Sequence, residues 1–328
     1  MMNGWQLLED AFGLVTDQLP LLWRQKGTEL RMGAGRPIRV RMGAQERFLT
    51  PCGGLSENFL DGAKTEAVWL RNGLERITRY SLYAYEGQIG QGFLTVAGGH
   101  RIGICGRAVV EEGRIRTLTD ISSMMMRMAH EVRGCSDPVF PYLQKEGRIC
   151  HTLIASPPGG GKTTMLRDLL RRCSDELGLQ VGIADERSEL AACQAGIPQL
   201  DVGIRTEVLD GAPKAEGIRM LLRSASPQVI GADEIGSLQE AQALGELMRC
   251  GVQVLCSVHG DSLESVRKRR EIAWLFENRI PERVVVLKGW GEVAGVWDQE
   301  GKRLDEVDWC GDVNGSRVAC GGTFLRTV

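Results

Sequence analysis

Residues 156–164 read Ser-Pro-Pro-Gly-Gly-Gly-Lys-Thr-Thr. This string constrains the fold more than any other part of the chain, because it works only between a buried strand and a helix N-terminus. Glycine lets backbone N–H groups converge on phosphates, since it accepts φ > 0 and has no Cβ to block close approach. Gly159, Gly160 and Gly161 supply that freedom, with Ser156, Pro157 and Pro158 before them and Thr164 after. Lys162 offers a cation for β- and γ-phosphates, and the Thr163 hydroxyl offers a Mg²⁺ ligand. The strict pattern begins with glycine where this chain has Ser156, which is small enough to take the same turn with some strain. Leu153-Ile154-Ala155 reads as the strand before the loop. Met165, Leu166, Leu169, Leu170 and Cys173 mark one face of the helix after it. The expectation is ATP with Mg²⁺, bound over residues 156–164.

Such a loop needs an acidic strand end, and Val229-Ile-Gly-Ala-Asp-Glu234 supplies one. Asp233 is expected to hold Mg²⁺ together with Thr163, and Glu234 to orient or deprotonate the attacking water. Two more apolar runs end on chemistry: Val181-Gly-Ile-Ala-Asp185 runs on to Glu189, and Val252 through Val258 ends at His259-Gly260. In a parallel sheet the carboxyl ends of the strands open on one crevice. Lys162, Glu189, Glu234 and His259 are therefore expected to share a site, with His259 as a hydrogen-bond reader of the γ-phosphate. Phosphoryl transfer often uses an added arginine, worth about 10³–10⁵ in rate. Arg205 and Arg223, which precede the acidic strand, are candidates; Arg107 and Arg127 in the N-terminal part are others.

An acidic box after the second strand, Asp-Glu after the third and a histidine box after the fourth, in this order, resemble the ATPases that power type II and type IV secretion and pilus motors. Within that superfamily the chain resembles the sporulation stage III AA family of endospore-forming bacteria. Glu29-Leu-Arg-Met-Gly-Ala-Gly-Arg36-Pro37, Gly92 through Val96 and His100 through Arg107 carry the likeness in the N-terminal part. Asp201-Val-Gly-Ile-Arg205-Thr206, Val208 through Gly217 and Arg223-Ser-Ala-Ser-Pro227 carry it in the nucleotide part. The likeness spans roughly residues 25 to 290, with Ser156 as its one departure in the core site. It implies an α/β fold: a RecA-like phosphate-loop ATPase domain with a mainly parallel sheet, preceded by a smaller α+β domain. It also implies a ring of identical subunits, a hexamer in such ATPases, attached peripherally to membrane channel proteins of a sporulation or secretion apparatus.

At 328 residues the chain is long enough for two domains. The expected division is 1–137, 138–298 and a glycine-rich, charged tail over 299–328, with the first boundary at the turn-rich Gly134-Cys-Ser-Asp-Pro138. A net charge of −2 and a pI near 6.2 argue against nucleic acid as the partner. A nucleic-acid-stimulated ATPase and a non-catalytic nucleotide-binding scaffold remain as rivals. No run approaches the ~18 apolar residues of a membrane span, and the first residues lack a secretion signal, so the expected location is the cytoplasm. Cys105, Cys150, Cys173, Cys250 and Cys256 lie in apolar runs, where a free thiol packs as a small hydrophobe. Ser81–Ile89 reads as a helix, and hairpins are expected around Gly98-Gly99, Glu112-Gly113 and 289–291. Met124 through Met128 fits helix or strand, and Asp261 through Asn278 reads as one helix containing Arg267-Lys-Arg-Arg270. Arg31, Arg36, Arg39, Arg41 and Arg47 form a basic group suited to a solvated surface or to an anionic partner.

Overall fold

The computed structural model describes residues 4–81, 85–90, 92–289 and 291–305. The chain divides into two compact units: one of residues 1–131 with 187–201, the other of residues 132–186 with 202–328.

The first unit opens with helices α1 (Gly4–Phe12) and α2 (Leu21–Lys26). Strands β1 (Glu29–Gly33), β2 (Arg39–Met42), β3 (Gln45–Leu49) and β4 (Leu55–Ser56) follow, then helices α3 (Ala67–Ile77) and α4 (Glu86–Gly90). Strands β5 (Phe93–Val96), β6 (His100–Glu111) and β7 (Arg114–Arg127) complete it. The seven strands form one antiparallel sheet in the order β4-β3-β2-β1-β7-β6-β5. Alternation makes one face apolar. Leu30, Met32, Val40, Ile102, Ile104, Met124 and Met126 are buried there with Trp5, Leu8 and Phe12 of α1 and Leu70 and Leu74 of α3. The methionine run is thus a strand, with Met124 and Met126 inward and Arg127 exposed. The hairpins at Gly98-Gly99 and Glu112-Gly113 are the β5–β6 and β6–β7 turns. Of the helix expected over Ser81–Ile89, the described part is α4, since residues 82–84 fall outside the described set.

The second unit contains the hairpin β8 (Gln144–Lys145) and β9 (Arg148–Ile149), then β10 (Thr152–Ser156) and α5 (Lys162–Asp175). Next come β11 (Val181–Asp185), β12 (Thr206–Asp210), α6 (Lys214–Ser224), β13 (Val229–Ala232), α7 (Leu238–Arg249) and β14 (Gln253–His259). Helices α8 (Leu263–Arg267) and α9 (Arg270–Glu277) precede β15 (Arg283–Gly289) and β16 (Glu292–Asp298). The sheet runs β12-β11-β13-β14-β10-β15-β16, parallel except for β16. Its inner strands are mainly apolar, as a parallel sheet covered by helices requires; every residue of β10, β11 and β13 is buried. This is the RecA-like α/β arrangement, preceded in the chain by an α+β unit. Among the described residues no helix is long and apolar enough to cross a membrane.

Two expectations are corrected. Asp261 through Asn278 is two helices, broken at Lys268–Arg269. Arg269 takes an extended backbone (ψ 125) and donates its Nη1 to the His259 carbonyl at 2.6 Å, so the basic run is not one helix face. Cys105 and Cys250 are exposed, whereas Cys150, Cys173 and Cys256 are buried. The outward face of an antiparallel strand and the C-cap of α7 place the first two at the surface. The tail expected over 299–328 is described only to residue 305, and its first residues fold back on β16 through Leu304 N–H to Val296 O at 2.7 Å.

One ion pair ties β9 to the start of β15. Arg148 donates twice to Glu282, at 2.6 and 2.7 Å, and the His151 amide adds a third bond. Burial opposes the charge on Glu282, but Arg148 and the His151 amide outweigh it, and the carboxyl falls to about 2. A depressed carboxyl stabilises the fold above its unfolded value, ~4.3, and loses that contribution as pH falls toward the folded value. Glu282→Gln should therefore lower stability by about 1–3 kcal/mol at neutral pH. Thermal denaturation of both proteins from pH 7 to pH 2 should show the difference shrinking below about pH 4.

Candidate functional site

The site is built where β10, β13 and β14 end. β10 delivers Ser156, and the chain turns through 157–161 into α5, whose first residue is Lys162. Gly159 (φ 72) and Gly161 (φ 92) are left-handed, which is where glycine is required. A Cβ on Gly160 would meet Ser156 Oγ at 2.8 Å and the Pro157 carbonyl at 2.9 Å. Ser156 itself has no positive φ, so glycine is not demanded there. Its buried hydroxyl donates to the Pro157 carbonyl at 2.9 Å. The turn between β15 and β16 braces the loop through Gly291 N–H to Gly160 O at 3.0 Å. The first-turn N–H groups of α5 have no partner within the helix and face the loop end.

Five side chains cluster at this loop. Lys162 Nζ, almost fully buried, lies 2.7 Å from Glu234 Oε1. Thr163 Oγ1 donates to Asp233 Oδ2 at 2.6 Å. His259 Nε2 lies 3.1 Å from Glu234 Oε1, and its Nδ1 is buried with no hydrogen-bond partner among the described residues. Consecutive strand residues normally point to opposite sides. Asp233 and Glu234 both reach α5 because β13 has ended at Ala232 and Glu234 is left-handed, with φ 54. A non-glycine residue in that region costs roughly 1–2 kcal/mol.

Two residues not foreseen from the sequence hold this turn. Ser257 on β14 donates to Asp233 Oδ1 and accepts the Glu234 N–H at 3.0 Å. Lys214, the first residue of α6, donates to the Glu234 carbonyl at 2.8 Å and lies 3.6 Å from Glu186 and 3.9 Å from Glu240. The string around each carries no signal for this; the register of β13 beside β14, with Ala232 opposite Cys256, brings Ser257 next to Asp233.

The other predicted residues make different contacts. β11 ends at Asp185 and the chain departs, so Glu186 stays near the site through Lys214. Glu189 belongs to the first unit, where it pairs with Arg101 of β6. Arg205 donates to the Ser174 carbonyl at 3.0 Å, at the far end of α5, about 18 Å along that helix from Lys162. Arg223 is exposed in the last turn of α6. Neither arginine is brought to the loop of its own chain.

A buried carboxylate anchors α5 from behind. Asp168 accepts from Ser136 Oγ at 2.6 Å, Ser136 N–H at 3.0 Å and Arg171 Nη2 at 2.8 Å. Burial opposes its charge, yet these bonds prevail and the carboxyl lies below its ordinary value.

The donor set fits a nucleoside triphosphate with Mg²⁺: a lysine, a hydroxyl, left-handed glycines and a helix N-terminus for phosphate, and the Thr163–Asp233 oxygens for the ion. Among the described residues no cluster of three or more His, Cys, Asp or Glu is placed to hold a metal.

A family model described as "Sporulation stage III, protein AA" matches residues 18–304. The chain is 38% identical over 286 residues to stage III sporulation protein AA of Bacillus subtilis (strain 168), covering 85% of this chain and 89% of that one. Among solved structures, the pilus retraction motor PilT with bound ADP aligns with a TM-score of 0.55 at 12% identity, over 87% of this chain and 78% of its own. The Legionella pneumophila ATPase DotB aligns with a TM-score of 0.52 at 12% identity, over 89% and 82%. At such identity these two likenesses speak for the fold alone.

Proposed function

Because the chain belongs to the sporulation stage III protein AA family, we propose that it is a Mg²⁺-dependent ATPase powering assembly of, or transport through, a membrane-associated channel of sporulation. The observation that carries this reading is the cluster of Lys162, Thr163, Asp233, Glu234 and His259 on the phosphate-loop turn. Bound Mg²⁺ would neutralise charge on the phosphate oxygens. Residues 159–163 bind and orient the triphosphate. A phosphate that engages Lys162 competes with Glu234 for the ammonium, and so frees the carboxylate to accept a proton from the attacking water. His259, within hydrogen-bond reach of Glu234, reports on that exchange. The test is phosphate release from MgATP by the purified chain, with and without membranes bearing the channel proteins. Nucleotide binding without release under every condition would favour the scaffold reading, and stimulation by DNA or RNA the nucleic-acid reading.

The family also suggests a ring, in which a neighbour's arginine completes each site. Arg205, bonded to the Ser174 carbonyl, and Arg223, exposed in the last turn of α6, are the candidates for that role within the second unit. Lys162→Ala and Arg223→Ala should each be inactive alone, and a mixture should recover part of the activity at shared interfaces. The same test applies to Arg205, Arg107 and Arg127. Mixtures inactive for all four, or a protein that stays monomeric with ATP at micromolar concentration, would remove the shared site.

A further inference from the structure

Glu234 can serve the reaction only while its backbone stays left-handed. The residue has no structural preference for that region, so its neighbours must impose it. Its two peptide groups are gripped from opposite sides. On the amide side, Ser257 Oγ accepts the N–H at 3.0 Å and Asp233 Oδ1 lies 3.1 Å away. On the carbonyl side, Lys214 Nζ donates at 2.8 Å.

Lys214 is an unusual choice for this task. Its side chain is almost wholly buried, and a buried ammonium is costly unless paired. Two carboxylates supply the balance: Glu186 just past β11 at 3.6 Å and Glu240 in the first turn of α7 at 3.9 Å. Glu240 is itself fixed, because it closes the capping box with Ser237 and accepts the Gly236 N–H at 2.8 Å. The ammonium thus stands between the end of β11, the turn after β13 and the start of α7, and it donates into the peptide that aims Glu234.

Resting on the ATPase reading above, we propose that Lys214 is the positioning residue that holds Glu234 in its water-orienting conformation. It touches neither phosphate nor water in this role. Its contribution is a charge-assisted hydrogen bond to a carbonyl. Without that bond the Glu234 peptide relaxes toward extended geometry, and the carboxylate turns away from Lys162 and His259.

The test compares the full-length parent with Lys214→Met and Lys214→Arg in MgATP binding, hydrolysis and thermal denaturation. In Lys214→Met, kcat should fall on the order of 10²-fold, the effect of a displaced catalytic group, while nucleotide Kd stays within about threefold because the phosphate loop is untouched. Lys214→Arg keeps a charged donor and should recover most of the rate. A Lys214→Met protein that turns over at the parent rate overturns the proposal. So does one that loses binding and turnover in equal measure, which would mark a purely structural role. A crystal structure of Lys214→Met decides independently of activity. Glu234 should leave φ > 0 and its carboxylate should leave Lys162; an unchanged Glu234 sinks the idea. A parent that neither binds nor hydrolyses ATP defeats the ATPase reading instead, and that crystal structure still settles what Lys214 does.

Discussion

Lys162→Ala is expected to abolish hydrolysis, with kcat/KM lower by at least 10²–10³, the cost of removing a preorganised charge-stabilising donor. Two effects add. The phosphates lose a buried cation whose charge-assisted bonds are each worth about 1.5–3 kcal/mol. Glu234 also loses the ammonium 2.7 Å away that offsets its charge, so an unbalanced carboxylate now faces an incoming polyanion. Binding of a fluorescent ATP analogue should weaken along with turnover, because the lysine contacts phosphate in the ground state as well as in the transition state. Nucleotide affinity equal to the parent's would mean that the phosphates bind elsewhere.

Glu234→Gln should separate the two quantities. The amide cannot accept a proton from water, so kcat should fall by about 10²–10⁴. It also no longer competes as an anion for Lys162. Nucleotide affinity should rise roughly 3- to 10-fold, the equivalent of about 1 kcal/mol for one competing contact. Equilibrium binding and single-turnover hydrolysis measured on the same preparation give both numbers. Hydrolysis at the parent rate would exclude Glu234 as the group that orients the water.

The parts of the site that the sequence makes legible are those whose geometry is local. Strand, glycine turn and helix follow one another over residues 152–175, and the spacing of Lys162 and Thr163 from the glycines is a covalent fact. Asp233 and Glu234 are legible because an apolar run ends on them. Lys214 and Ser257 are not, since each reaches the site from another element and nothing in its own neighbourhood distinguishes it from a solvated lysine or a strand serine. Glu189 is grouped with the first unit and paired with Arg101. It lies four residues beyond the end of β11, and the path of the chain after a strand cannot be read from the strand. The break between α8 and α9 is hidden for a similar reason, because the apolar spacing continues while Arg269 turns toward the His259 carbonyl. Alternation resolves the methionine run only once β1 and β6 lie on either side of β7.

The Asp168 clamp makes the phosphate-loop helix observable at a distance. Ser136, near the start of the second unit, is tied to α5 through the buried Asp168 carboxylate. If α5 shifts when phosphates load its N-terminus, the Ser136 bonds must stretch or travel with it. The peptide bonds beside the exposed Arg133 would then change their susceptibility to trypsin, and the amide of Ser136 its rate of hydrogen exchange. Occupancy of the loop could be followed there without touching any residue that binds nucleotide.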